Sequence, residues 1–159
     1  MPLRKDEIHP LAKELAINEN IVEMLKSFSE LQSIDFSTLP NIGKLLLGEN
    51  PANTEVGEPH ENLFTTANLY EGGVTRITSV YYQRIDEQGQ IAEHDHSATN
   101  EHEILIFSNQ PGYANIPSSN NLRKVGSGLQ VVFIPVGTRH GSDDESSHGD
   151  WVSIKVKAD

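Results

Sequence analysis

The N-terminal part of the chain has the hydrophobic spacing of amphipathic helices. Apolar residues three and four positions apart form two stripes: Ile8, Leu11, Ala12 and Leu15, then Ile21, Val22, Leu25, Phe28 and Leu31. This period is typical of a helix with one buried face. Residues 1 to about 33 are therefore predicted to be helical, and both helices need an apolar surface to lie on.

From about residue 62 the spacing changes to short β-type runs separated by turn residues. The predicted strands are Leu63–Leu69, Val74–Ile85, Glu103–Phe107, Tyr113–Ile116, Leu129–Ile134 and Trp151–Val156. Short strands at regular spacing, with no helical segment between them, indicate an antiparallel sandwich or barrel. We therefore predict an N-terminal helical extension, residues 1–60, followed by an all-β barrel, residues 61–159.

Several predicted strands are apolar on both faces, as in Glu103–Phe107. One face can line the interior of a barrel, and the other then needs a cover. The N-terminal helices or a second subunit could supply that cover.

Composition and charge narrow the class of protein. The chain has 159 residues, 36% of them hydrophobic, and contains no run near the roughly 20 apolar residues of a membrane span. The N-terminus lacks the apolar core of a secretory signal. A net charge of -11 argues against nucleic acid and anionic membranes as partners. We expect a cytoplasmic protein that binds a small molecule.

The absence of cysteine limits the chemistry further. The sequence excludes disulfides, thiolate nucleophiles, iron–sulfur clusters and cysteine-based zinc sites. Any metal must be held by histidine, aspartate, glutamate or water, which disfavours a closed structural zinc site.

Histidines concentrate in the second half of the chain, where five of the seven lie between residues 94 and 148. In a strand, residues i and i+2 lie on the same face, so His94 and His96 would form half of a metal site. A third histidine, His140, follows a Pro-x-Gly turn at residues 135–137 that can direct its side chain back over the barrel mouth. These three histidines are the first candidates for metal ligands.

Two glutamates stand near the start of an apolar strand. Glu101 and Glu103 share one strand face, which continues into Leu105 and Phe107, while His102 lies on the opposite face. A carboxylate at the mouth of an apolar barrel is costly unless it is paired or bound to a metal. Strand parity alone does not separate the two glutamates.

These residues resemble the two motifs of the cupin superfamily, in its single-domain, RmlC-like form. The first family motif, G-x5-H-x-H-x3,4-E-x6-G, is similar to Gly89, His94-Asp95-His96 and Glu101, with one residue fewer after the glycine. The second, G-x5-P-x-G-x2-H-x3-N, is similar to Gly128, residues 135–140 and Asp144, with one residue more after the glycine and Asp in place of Asn. The resemblance covers residues 70–156 and implies a double-stranded β-helix, or jelly-roll, barrel.

The resemblance also implies a divalent metal ion (Fe, Mn, Ni, Zn or Cu) held by His94, His96, His140 and one glutamate. Glu101 has the family's spacing from His96, whereas Glu103 is followed by the apolar run that usually follows the ligand. We favour Glu103 as the ligand and Glu101 as a proton-transfer group. A homodimer is a further expectation from the family.

Such a site suits a metal-dependent enzyme of oxygenase, lyase or isomerase type, or a non-catalytic ligand-binding or sensor module. Tyr81 and Tyr82 lie on a strand entering the barrel, and an inward tyrosine could act as a general acid or base. We name Tyr82, with Glu101, as a catalytic candidate. Arg76 or Arg84, if inward, could pair with a substrate carboxylate.

Overall fold

The described residues of the chain form one antiparallel sheet with a short helical segment packed on it. A computed structural model describes residues 15, 21–36, 64–71, 76–85, 93–108, 122–125, 129–141 and 149–159. The helical segment consists of α1 (Ile21–Lys26) and a 3-10 turn (Ser29–Leu31). The strands are β1 (Phe64–Glu71), β2 (Ile77–Ile85), β3 (Glu101–Ser108), β4 (Leu122–Val125), β5 (Leu129–Ile134) and β6 (Gly149–Lys157).

The strands do not follow one another in the sheet as they do in the sequence. Their spatial order is β1-β2-β6-β3-β5-β4, and all neighbours are antiparallel. The C-terminal strand β6 therefore lies between β2 and β3. This order confirms the predicted all-β class and agrees with a jelly-roll chain path.

The outer face of the sheet is covered by the N-terminal helical segment, as predicted. Phe28 packs on Phe133 with 5.3 Å between ring centroids. Each fully buried aliphatic or aromatic side chain contributes roughly 1.5–3 kcal/mol to folding. The homodimer expected from the family resemblance, which could also cover this face, stays a prediction. The buried residues of this outer cluster are Leu15, Leu25, Phe28, Leu31, Ile34, Phe36, Ile77, Val80, Ile104, Ile106, Leu129, Val131, Phe133, Val152, Ile154 and Val156.

The second hydrophobic stripe forms two short helical elements rather than one helix. Leu25, Phe28 and Leu31 are buried as the stripe predicts. However, α1 ends at Lys26, and Phe28 has an extended backbone with φ -76° and ψ 124°. Ser27 accounts for the break, because its hydroxyl donates to the Met24 carbonyl over 2.6 Å and so competes with the helical pattern.

The inner face of the sheet carries a smaller apolar cluster of Leu105, Phe107, Val132, Ile134 and Trp151. The strand pairing sets neighbouring members side by side, since Leu105 pairs with Val132 and Phe107 pairs with Trp151. Glu103 and Ser153 follow on the same face by strand alternation. This inner cluster is therefore continuous with the face that carries the candidate site.

The strands predicted from the sequence differ in part from those of the structure. The strand predicted at Tyr113–Ile116 lies outside the described residues, whereas β4 was not predicted. β4 has the sequence Leu-Arg-Lys-Val and lies at the edge of the sheet, where charged residues are common. Its single polar pair interrupts the alternation that would have indicated a strand.

Candidate metal centre

The two histidine segments meet through a backbone bridge. The His94 N–H donates to the His140 carbonyl over 2.9 Å, and the His140 N–H donates to the His94 carbonyl over 2.8 Å. Two residues that exchange both hydrogen bonds lie directly opposite each other in an antiparallel pair. The bridge therefore places the two side chains next to each other, with 4.4 Å between their ring centroids.

The turn before His140 has a specific backbone requirement. The Thr138 N–H donates to the Pro135 carbonyl over 3.1 Å, and Gly137 has φ +82°. A positive φ at the third position is the mark of a type II turn, which favours glycine there. From the opposite face of β3, His102 Nδ1 accepts a 3.0 Å hydrogen bond from the Val136 N–H. The turn is thereby held before the chain enters the bridge.

His140 is fully buried and has a fixed tautomer. Its Nδ1 lies 2.9 Å from the Thr138 carbonyl, which can only accept, so Nδ1 carries the hydrogen. Burial lowers the pKa of the imidazole below its usual value, against the opposing effects of the Thr138 hydrogen bond and Asp95. In the neutral ring, Nε2 therefore keeps a lone pair. A metal-binding histidine is commonly oriented by such a bond from its other nitrogen.

His96 completes a group of three imidazoles. Its ring centroid lies 4.9 Å from that of His94 and 5.0 Å from that of His140. One nitrogen from each ring lies within 4.8 Å of the others. Burial lowers the pKa of His96 to about 4, with further contributions from the charges of Lys155 and His140. The ring is therefore neutral near pH 7, which is the form that binds metal.

Glu103 lies against two of the three histidines. Its carboxylate oxygens are 3.2 Å from His140 Nε2 and 3.4 Å from His96 Nε2, and its side chain is 1% exposed. Ser153 Oγ donates to Oε2 over 3.1 Å. Within the described part of the chain, Oε1 has no hydrogen-bond partner. A buried carboxylate oxygen of this kind needs a cation or a donor.

Glu101 occupies a different environment on the same strand face. It accepts a hydrogen bond from Thr78 Oγ1 and is half-buried. Burial raises its pKa, but hydrogen bonds from Thr78 and Thr99 and the charges of Lys155 and Lys157 outweigh that effect and lower it. The fold thus separates two glutamates that strand parity could not, and Glu103 is the one in contact with the imidazoles.

A lysine that the sequence analysis did not single out lies in the same group. Lys155 Nζ contacts Glu103 Oε2 and lies 3.1 Å from His96 Nε2. Burial lowers the pKa of the Lys155 amine to about 8, opposed by the charge of Glu101. The sequence of β6 contained a signal for this lysine. Val152, Ile154 and Val156 alternate with Ser153 and Lys155, which places the two polar residues together on the inner face.

The remaining candidates lie elsewhere or stay predictions. In the β2–β6 register, Tyr82 pairs with Val152 of the outer cluster, whereas Tyr81 pairs with Ser153 of the inner face. The role predicted for Tyr82 stays a prediction, but the register favours Tyr81 for the inner face. Arg76 is bound to Asp159 and Ser33 rather than to the histidine group.

The rim of the site is held by polar contacts around residue 95. Arg139 Nε donates to Glu93 over 2.9 Å, and Arg139 also lies 3.9 Å from Asp95. The side chain and backbone of Ser97 donate to Asp95 and lower the pKa of its carboxyl. These contacts fix the backbone between His94 and His96.

The donor set fits a divalent ion. Three imidazole nitrogens and one buried carboxylate form a mixed nitrogen and oxygen set that suits Fe, Mn, Ni, Zn or Cu, and the ligand types alone do not select among them. Four protein ligands leave room for water or substrate when the ion is five- or six-coordinate. Lys155 contacts two of the donor atoms, so it would have to move for the ion to bind both.

Similarity to known proteins is found in structure and not in sequence. The chain has no significant match among protein-family models or curated protein sequences. The chain is similar in structure to an RmlC-like cupin from Shewanella frigidimarina. That similarity has 14% sequence identity and a TM-score of 0.42, and it covers 66% of this chain and 85% of that one. KdgF from Halomonas sp. is also similar, with 9% identity, coverage of 66% and 89%, and a TM-score of 0.41.

None of the helices in the described part of the chain is long and apolar enough to cross a membrane.

Acid is expected to destabilise the metal-free protein below pH 6.5. His96 has a pKa of about 4 when folded but 6.5 when exposed, so the unfolded chain takes up the proton first. The contribution of neutral His96 to the free energy of unfolding is complete above pH 6.5 and falls as the pH drops towards 4. Urea unfolding in a chelator should show a loss of about 2 kcal/mol between pH 7 and pH 5. His96→Gln should reduce that loss, and equal stability at both pH values would contradict the prediction.

Proposed function

We propose that this chain is a metal-dependent enzyme that acts on a small polar organic molecule. The ligands would be His94, His96, His140 and Glu103. The observation that carries the proposal is the convergence of three imidazole nitrogens within 4.8 Å, with a buried carboxylate 3.2 Å and 3.4 Å from two of them. A structural role alone would not require three imidazoles to converge beside one buried carboxylate.

When bound, the ion would act as a Lewis acid that stabilises negative charge developing on a substrate oxygen. The protein holds its donors ready for this task, since the Thr138 carbonyl fixes the tautomer of His140 and Ser153 holds one oxygen of Glu103. Oxygenase, lyase and isomerase reactions are all compatible with such a centre, and the fold does not select among them.

Proton transfer is the role we assign to Glu101. It lies on the same strand face as Glu103, two residues away, and Thr78 holds its carboxylate. Its carboxylate is ionised near neutral pH and so has a lone pair for a substrate proton, although its lowered pKa makes it a weaker base than an ordinary glutamate. A tyrosine of β2 is the second candidate for this role.

A non-catalytic ligand-binding or sensor module is the alternative. One observation favours it, which is that Lys155 already neutralises the buried Glu103 carboxylate. A charge-paired pocket of this kind is stable without a metal and could bind a polar ligand. Measuring product formation distinguishes the two functions. An enzyme would form product, whereas a binding module would be stabilised by its ligand without forming any.

The two glutamates provide a matched test of the proposed function. Glu103→Gln should lose about two orders of magnitude in metal affinity, on the basis of roughly 3 kcal/mol for each of four ligands. Glu101→Gln should still carry one equivalent of metal. Elemental analysis of both purified variants, followed by titration with metal, measures the difference.

Activity is then assayed on a panel of small hydroxy and keto acids, with and without oxygen, for the metal-loaded protein. Product formation that is lost in Glu103→Gln supports an enzyme. Wild-type protein that takes up no metal would overturn the metal-dependent function, and metal uptake with ligand-induced stabilisation but no product would favour the binding module.

A further inference from the structure

We propose that the Lys155 ammonium is an internal cation that competes with the divalent ion for Glu103 and His96. The metal-free site would then be a defined, charge-paired state rather than an open set of ligands. The inference rests on the metal centre proposed above and adds a residue that sets its affinity.

The contacts of Lys155 are with donor atoms and not with the periphery of the site. Its Nζ contacts Glu103 Oε2 and lies 3.1 Å from His96 Nε2. The Lys155 side chain is 14% exposed, and that of Glu103 is 1% exposed. The pair is therefore shielded from solvent. An ion pair is stronger in the protein interior than at the surface.

His96 Nε2 can bind only one of the two cations at a time. His96 Nε2 can accept a hydrogen bond from an ammonium only through its unprotonated lone pair, which is also the lone pair that binds a metal. Glu103 differs, because a carboxylate has several lone pairs and its Oε1 has no hydrogen-bond partner among the described residues. An ammonium has no lone pair to offer an ion, and the two positive charges repel. A metal bound to His96 must therefore displace Lys155 from Nε2, and the repulsion between the two cations then weakens the contact of Lys155 with Glu103.

The sheet fixes Lys155 in this position. Lys155 on β6 pairs directly with Glu103 on β3. These strands lie in the middle of the sheet, so the neighbourhood of the two residues does not depend on a flexible surface loop. Ser153, two residues earlier on the same face, donates to the same carboxylate oxygen. The Lys155 contact is thus a consequence of strand register.

Lys157 offers a matched control. It lies two residues further along the same face of β6, but its Nζ donates to the Thr99 carbonyl over 2.7 Å, and it is exposed. Removing its charge changes the net charge by the same amount as removing that of Lys155. It leaves the contacts of Glu103 and His96 intact.

The test is isothermal titration of Zn²⁺ into wild-type protein, Lys155→Met and Lys157→Met after treatment with a chelator. Lys155→Met should bind Zn²⁺ roughly tenfold to a hundredfold more tightly than wild type, which corresponds to the loss of one or two competing charge-assisted hydrogen bonds. Lys157→Met should bind as wild type does.

The outcomes separate this inference from the proposed metal centre. If wild type binds Zn²⁺ and Lys155→Met binds it equally or more weakly, the competition is wrong while the centre stands. If neither protein binds Zn²⁺, Mn²⁺ or Fe²⁺, the centre itself is wrong and the inference with it.

A measurement on the wild-type protein does not depend on the folding of Lys155→Met. In protein labelled with ¹⁵N at the lysine side chains, the Lys155 Nζ resonance is assigned with Lys155→Arg. Addition of Zn²⁺ should shift it and speed the exchange of its protons with water, because the ammonium leaves its buried partners. A resonance that stays in place while Zn²⁺ binds would overturn the competition.

Discussion

His140→Ala is expected to abolish metal binding at stoichiometric protein and metal concentrations. The substitution removes a ligand nitrogen that burial and the Thr138 carbonyl hold in its binding tautomer. One ligand of four accounts for roughly 3 kcal/mol, or about two orders of magnitude in affinity. Elemental analysis of protein expressed in metal-rich medium, and titration of the metal-free form, measure the loss.

His102→Ala is the matched control for His140→Ala. His102 lies on the opposite face of β3, where its ring packs at 5.2 Å from Phe133 and accepts a hydrogen bond from Val136. Its removal should cost about 1 kcal/mol of stability and weaken metal binding far less than His140→Ala does, because it loosens the turn before His140 but removes no ligand. Equal metal content in His140→Ala and wild type would show that His140 is not a ligand.

Trp151→Ala is expected to lower the free energy of unfolding by about 3–5 kcal/mol. Trp151 is 0% exposed and is the largest side chain of the inner cluster, in contact with Phe107 at 6.1 Å between ring centroids. Its truncation removes buried apolar area and leaves a cavity that the paired strands cannot close. Urea unfolding followed by far-ultraviolet circular dichroism measures the loss, because the chain has no second tryptophan for fluorescence.

Trp151→Phe keeps most of the buried volume and should cost clearly less than Trp151→Ala. If Trp151→Ala unfolds within about 1 kcal/mol of wild type, the inner cluster does not support the sheet as described. Metal affinity measured on the two variants under folding conditions then tells whether damage to the cluster reaches Glu103, which lies further along the same face of β3.

The sequence was sufficient to predict the elements whose signal is local. Strand spacing predicted that His94 and His96 would share one face; the two rings do lie together, although His94 forms an isolated bridge and residues 94–96 are not a strand. The Pro-x-Gly turn predicted that the side chain of His140 would be directed back over the barrel mouth. The amphipathic spacing of Leu25, Phe28 and Leu31 predicted a buried helical face. Spacing of this kind is visible without the rest of the chain, whereas the meeting of His140 with His94 depends on the long-range bridge between them.

Features that depend on strand pairing were not predictable in the same way. Glu101 and Glu103 have equal parity, but the register with β6 places Lys155 opposite Glu103, and the register with β5 places Glu103 opposite Ile134, six residues before His140. The choice between Tyr81 and Tyr82 likewise depends on the β2–β6 register, which contains an irregularity between Ile77 and Ser79. A bulge of this kind changes which residues share a face, and alternation in the sequence does not locate it.

The bridge between His94 and His140 has a consequence for the order of folding. It is an isolated pair of hydrogen bonds that joins segments separated in sequence by β3, β4 and β5. Closing so long a loop costs chain entropy, and one bridge does not compensate for that cost. We therefore expect the bridge to form only after β3 has paired with β5 and β6. A folding chain would pass through a stage in which His94 and His96 are already neighbours while the third imidazole is still distant, so tight metal retention would mark the completion of folding rather than its start.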